Sequence, residues 1–313
     1  MGAETGIQGI VYSLTASPNF MRDGCCFAAC ESGLFRSDDG GLTWRSAFAS
    51  LSLSAPLATT AIAVPPDFGD DHSVFAGAHG AVLRSVDGGQ RWEIASLPLP
   101  PPQVSFLAVS PDFAHDGILL AATLEDGVFR SVDRGRSWHS ANFGLMDLNT
   151  LALAFSAEFV ADATVFVGTD SGIFRSRNGG LAWREVAFPS EYAPVLSLAL
   201  SPTYAEDGTV FAGTDSSGLL RSIDRGNTWV RLGEGVICDA VNAVLLSPRF
   251  PGEKDILVLT GEMLLVSRDG GINWSEWKTG MDLCSATCIA APEGLGQGAG
   301  LLVGLAEGGV LRI

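Results

Sequence analysis

Ser37-Asp38-Asp39-Gly40-Gly41-Leu42-Thr43-Trp44 decides the fold, because it recurs. It returns as Ser85-Val86-Asp87-Gly88-Gly89-Gln90-Arg91-Trp92 and as Ser131-Val132-Asp133-Arg134-Gly135-Arg136-Ser137-Trp138. The later copies are Ser176-Arg177-Asn178-Gly179-Gly180-Leu181-Ala182-Trp183, Ser222-Ile223-Asp224-Arg225-Gly226-Asn227-Thr228-Trp229 and Ser267-Arg268-Asp269-Gly270-Gly271-Ile272-Asn273-Trp274. Successive Trp residues stand 48, 46, 45, 46 and 45 positions apart. Such a period marks a repeat architecture, in which each unit adds its own piece of core.

Upstream of each copy lies an apolar strand, then Ser-Pro-x-Phe, an acidic residue and another strand. Leu107-Ala108-Val109-Ser110-Pro111-Asp112-Phe113 is one example. The Pro position falls at Pro18, Pro66, Pro111, Ala157, Pro202, Pro248 and Pro292, which makes seven units against six boxes. Each unit reads as four short strands, A to D, broken by Gly, Asp and Pro turns, with no helical period. Four-stranded units at this period form propeller blades. The expected fold is all-β: a seven-bladed β-propeller of four-stranded antiparallel blades in one domain. The blades fall at about 11–48, 57–96, 104–142, 150–188, 195–233, 241–278 and 285–313. Residues 2–9 are expected to pair onto the last blade and close the ring, which removes an open edge.

The repeated Asp39, Asp87, Asp133, Asp224 and Asp269 could be read as acids or metal ligands. Asn178 in the fourth copy argues for a turn instead, since it keeps the capping geometry and loses the charge. In that reading Gly supplies positive φ, and Trp44, Trp92, Trp138, Trp183, Trp229 and Trp274 wedge between blades. Arg36, Arg84, Arg130, Arg175, Arg221 and Arg312 recur before the box, with Val266 in the sixth unit. Pairing with nearby carboxylates is expected of them.

The pattern Ser-x-Asp-x-Gly-x-x-Trp resembles the Asp-box (BNR) repeat of sialidase-like and sortilin-like propellers. Single-domain proteins with seven such blades include the photosystem II assembly-factor family. Xyloglucanase-like enzymes use two such propellers in tandem and cut between them. The resemblance implies the fold and leaves the function open.

The chain has 313 residues and a net charge of −16, with two Lys, Lys254 and Lys278. That charge repels phosphate backbones, so nucleic acid is excluded as a partner. No apolar run reaches a membrane span, and no signal peptide is expected from the residues ahead of the first strand.

Function is expected on loops held by rigid blades. The B-to-C loops carry Glu31, His79, Glu125 with Asp126, Asp170, Asp215, Glu262 and Glu307. The D-to-A loops share that face and add Asp147, Glu191, Glu234, Asp239 and Asp282, with no Arg or Lys expected in either set. A sialidase needs arginines to clamp a carboxylate and a Tyr nucleophile, for which only Tyr192 is at hand. A glycoside hydrolase needs two carboxylates roughly 5–10 Å apart, which an acidic ring could supply. The expected function is thus a non-catalytic interaction or assembly scaffold facing a basic protein or peptide, with no cofactor. A glycoside hydrolase or glycan binder is the alternative.

Six cysteines, Cys25, Cys26, Cys30, Cys238, Cys284 and Cys288, contain no Cys-x-x-Cys pair, so no metal site is expected. A disulfide between Cys238 and Cys284 is conceivable. Reduced thiols in a cytoplasmic setting are favoured, although Asp-box proteins are often exported, which leaves export with the signal removed as the other option. His72, His115 and His139 form no evident cluster.

Overall fold

The computed structural model describes residues 6–278 and 283–313. Seven antiparallel sheets follow one another along the chain, and neighbouring sheets pack through their inner strands around a central channel. The protein is a seven-bladed β-propeller. Blade five shows the plan: Val195–Leu200, Val210–Thr214, Leu219–Ser222 and Val230–Leu232 pair in order as strands A to D. Strand B is buried along nearly its whole length in every complete blade, because it lies between A and C and between two neighbouring blades. Its residues are accordingly mostly Val, Phe, Leu, Ala and Cys rather than an alternating pattern.

Blade seven differs. Among the described residues it has three strands, Ala286–Ala290, Leu302–Leu305 and Val310–Arg312. Residues 6–9, part of the expected closing strand, form no strand; residues 2–5 lie outside the described residues. Spacing gives the reason. Strand D ends at Ser140, Glu185 and Glu276, each ten residues before the next strand A at Thr150, Val195 and Ala286. The first strand A begins at Val11, so residues 6–10 are taken up by the connection. Among the described residues the ring closes through packing of blade one on blade seven. The Thr287 hydroxyl donates to the Val11 carbonyl, and Cys288 Sγ lies 3.4 Å from the same oxygen.

The A-to-B loop of blades one to five holds one turn of helix, too short to show a period in the sequence: Phe20–Asp23, Phe68–Asp71, Phe113–Asp116, Phe159–Asp162 and Tyr204–Asp207. Its aromatic residue is buried, and in several blades it stands edge-on against strand B of the preceding blade. Phe68 meets Phe27 at 6.3 Å, Phe113 meets Phe75 at 5.5 Å and Tyr204 meets Phe166 at 5.7 Å. Phe250, in the corresponding loop of blade six, meets Phe211 at 5.8 Å. The loop is locked by its Ser. Ser110 Oγ donates to Asp116 at 2.6 Å, and the same bond joins Ser17 to Asp23, Ser156 to Asp162 and Ser201 to Asp207.

The box turns follow one scheme. In box one Asp39 Oδ1 accepts from the backbone N–H of Leu42 and of Thr43, at 3.0 and 2.9 Å, and from the Ser37 hydroxyl. The Gly41 N–H donates to Ser37 Oγ. Asn178 Oδ1 accepts in the same way from the Ala182 N–H at 2.9 Å and from Ser176. A side chain at the second Gly has no room: a Cβ on Gly89 would stand 2.9 Å from Phe27 of blade one. Trp92 and Trp183 reach back one blade, their indole N–H groups donating to the carbonyls of Ala47 and Ala141 at 2.9 and 2.7 Å.

The arginines before the boxes meet the expected carboxylate pairing in part, Arg312 through Glu293 at 3.2 Å. Arg36 bonds Asp38 and Arg84 bonds Glu93. Arg36, Arg130, Arg175 and Arg221 also reach forward, to the backbone carbonyls of Gly88, Gly179, Arg225 and Gly270 in the next box. A guanidinium with five donors can serve both partners. The joint between blades three and four shows the pairing in full: Arg130 reaches forward to Gly179 and Trp183 reaches back to Ala141.

Candidate functional site

Hydrogen bonds fix which loops share a face. On one side the box joins the A-to-B loop of its own blade: the N–H groups of Gly40, Gly88 and Gly179 donate to the carbonyls of Gly24, His72 and Ala163. On the other side B-to-C loops join D-to-A loops. The N–H groups of Gly80, Gly127 and Asp215 donate to the carbonyls of Pro102, Leu148 and Pro194.

The second face brings the acidic loop residues onto one side of the molecule. Glu31, His79, Glu125, Asp170, Asp215, Glu262 and Glu307 are exposed, one or more per B-to-C loop around the ring, and Asp126 is half-buried. Glu191, Glu234 and Asp239 are exposed beside them; Asp282 lies outside the described residues. Two acids are tied into the loops. Asp170 accepts from Asn149 Nδ2 at 2.8 Å, and Asp147 accepts from the N–H groups of Asn149 and Ser171 at 3.0 and 2.8 Å. Partial burial works to raise the Asp147 carboxyl, but these bonds outweigh it and hold the group below its ordinary range. Glu125 adopts φ 72°, a left-handed conformation that favours glycine, with its N–H donating to Asn149 Oδ1 at 2.9 Å. One expectation is corrected. Lys278 is exposed two residues past strand D of blade six (Ser275–Glu276), so the D-to-A connections do contain a cation.

At the centre of the ring runs a channel of about 920 Å³, lined by the seven inner strands and by Pro66, Pro111, Pro202 and Pro248. Every strand A shifts register by one residue, at Tyr12, Thr60, Ser105, Leu151, Leu196, Asn242 and Thr287, and all seven of these residues line the channel. The sequence carries no sign of these bulges, since the inserted residues share no chemical type. The lining contains no Asp, Glu, His, Lys or Arg. Tyr12 is 38% exposed there, so Tyr192 is not alone in being available, but no arginine lines the channel beside it.

Among the described residues no group of three His, Cys, Asp or Glu could hold a metal ion, and no helix is long and apolar enough to cross a membrane. Cys25, Cys26 and Cys30 are buried, Cys288 is half-buried, and Cys238 is an exposed free thiol, so the conceivable bond from Cys238 to Cys284 is not formed.

Residues 265–276, the sixth box with its flanking strands, match the family model of the BNR/Asp-box repeat. The fold is that of an Asp-box propeller. No curated protein matches this chain. A GH74 xyloglucanase from Xanthomonas campestris superposes on the propeller with a TM-score of 0.75 at 19% identity, over 98% of this chain and 52% of that one. YCF48 from Cyanidioschyzon merolae gives 0.67 at 13% identity, over 98% of this chain and 96% of that one. A YCF48 bound to D1 peptide gives 0.68 at 16%, over 98% and 92%. The propeller thus spans about half the length of the xyloglucanase. At these identities the likeness is one of fold.

Proposed function

We propose that this propeller is a non-catalytic interaction module whose acidic loop face docks a basic protein or peptide surface. The observation that carries this reading is the ring of exposed B-to-C carboxylates, Glu31, Glu125, Asp170, Asp215, Glu262 and Glu307, in six of seven blades. Clustered charge of one sign steers an oppositely charged partner and speeds its association. The channel supports the same reading from the other side. Glycoside hydrolysis needs a carboxylate pair roughly 5–10 Å apart across the scissile bond, and the enclosed part of the ring carries no carboxylate. That a fold neighbour, YCF48, has been solved bound to D1 peptide gives a precedent for peptide docking on this architecture.

The test uses a short oligo-lysine peptide and stopped-flow association. One variant combines Glu31→Gln, Asp215→Asn and Glu262→Gln. This set is expected to slow association and flatten its salt dependence. Asp70→Asn, Glu158→Gln and Glu206→Gln on the box face change net charge equally and should do little. Equal effects from the two sets would reduce the ring to net charge alone. Reproducible cleavage of an oligosaccharide, abolished by one Glu→Gln change on the loop face, would replace this reading with the glycosidase one.

A further inference from the structure

The repeat provides its own control for one exposed aromatic residue. Phe143 and Phe188 occupy the same repeat position, five residues after Trp138 and Trp183. Phe188 is buried, 5.2 Å from Trp229 of the next blade in an edge-to-face pair, and Leu97 at the same position of blade two is buried too. Phe143 is 81% exposed. Leu145 has taken its place in the cluster around Trp183. Met146, next in the chain, is 83% exposed.

This loop is nonetheless held firmly. Asn142 accepts from the Val128 N–H at 2.7 Å and donates to the Asp126 carbonyl at 2.8 Å; the Phe143 carbonyl accepts from the Trp183 N–H at 2.8 Å. Two large apolar side chains thus stand in water on a backbone that is already ordered. A fixed aromatic anchor loses little entropy on binding, which is the character of an interface hot spot. The loop that carries it holds Asp147 and bonds the loops of Glu125, Asp126 and Asp170, and these loops, residues 123–127, 141–149 and 169–172, contain no Lys or Arg. A second copy of the chain would bring two acidic faces together at a net charge of −16 each, which opposes self-association.

We infer that Phe143 and Met146 are the apolar anchor of the docking face, and that its occupant is an amphipathic segment carrying apolar side chains flanked by Lys or Arg. This rests on the acidic-face reading and locates its centre in blades three and four.

The probe is a short synthetic Lys/Leu amphipathic peptide, with a Lys/Ser peptide of equal charge as its partner. Phe143→Ser with Met146→Ser should weaken Lys/Leu binding about tenfold or more, leave Lys/Ser binding unchanged and leave the thermal midpoint unmoved. Met21→Ser with Val160→Ser, equally exposed apolar positions on the box face, should have no effect. If the Phe143/Met146 pair has no effect while Glu125→Gln with Asp170→Asn weakens binding, the anchor is elsewhere and the acidic-face reading survives. If neither set matters, or only the Met21/Val160 pair does, both readings fall. Failure of the native protein to prefer Lys/Leu over Lys/Ser would also overturn the inference. So would a dimer in sedimentation that Phe143→Ser dissolves, since it assigns the patch to a second copy.

Discussion

Arg221 on strand C of blade five donates from Nη1 to the backbone carbonyl of Gly270 in the box of blade six, 3.0 Å away and 49 residues on. The acceptor is neutral and Gly270 is buried, so the bond does not depend on an acidic partner. Arg221→Leu leaves that carbonyl without its donor, and a cost of about 1–3 kcal/mol is expected. Denaturant midpoints measure it. High salt should leave the difference intact, whereas a surface ion pair would be screened.

Trp183 is 5% exposed and bonded to Ala141 of the preceding blade, so Trp183→Ala should cost about 3–5 kcal/mol. Trp44 is only half-buried and donates to Gly41 of its own box, and Trp44→Ala should cost distinctly less. Equal midpoints for the two variants would contradict the inter-blade role assigned to the indole.

Asp133→Asn should be mild beside Trp138→Ala, because Asn178 already makes the turn in blade four. The Asn would keep the Oδ1 bonds to the Arg136 and Ser137 N–H groups and replace the one from the Ser137 hydroxyl to Oδ2 with one that Nδ2 donates to that hydroxyl. A loss as large as that of Trp138→Ala in the same denaturation experiment would give the charge a role beyond the turn.

The box carboxylates also set an acid limit. The Thr43 hydroxyl and N–H, with Ser37, hold Asp39 at about 2, and Thr228 with Ser222 does the same for Asp224. At Asp269 the Asn273 N–H and side chain lead, again to about 2. A carboxyl lowered in the folded state contributes stability above its unfolded pKa and loses it as pH falls through the folded value. Stability should therefore drop between about pH 4 and pH 2. Asp39→Asn, Asp224→Asn and Asp269→Asn together should flatten that slope in circular dichroism melts.

Thiol reactivity follows burial. Removal from water pushes Cys25 up to about 11 and Cys26, Cys30 and Cys288 up to about 12. Iodoacetamide at neutral pH should label Cys238 in the native protein and reach these four only after unfolding, as read by peptide mass mapping. Rapid native labelling of Cys26 or Cys30 would contradict the burial of strand B.

The blade count and strand order are legible in the sequence because the Trp period is carried by side chains. Turn residues on both sides place strand A of blade five at its observed limits, Val195–Leu200. The forward reach of Arg221 is not legible, since its acceptor is a backbone carbonyl with no signature of its own. Phe143 is equally silent, because it matches Phe188 in type and position; only the competition with Leu145 for the space beside Trp183 separates them. Lys278 reads as part of the blade in the sequence, and falls in the loop because strand D of blade six is only two residues long. The acidic face is visible as composition, but the uncharged channel behind it requires the third dimension.

Where the joints of the ring carry these bonds, they point the same way, arginine forward and aromatic back. A closed circle of nearest-neighbour couplings takes its cooperativity from its weakest link, because breaking one link leaves a linear array with two fraying ends. Every other joint is also spanned by the chain, running from strand D of one blade to strand A of the next, whereas blades one and seven stand first and last and meet through packing and the bonds of Thr287 and Cys288 to the Val11 carbonyl. The molecule should therefore open like a split washer at this seam, and amide exchange should spread from Val11 and Ala286 toward the blades opposite.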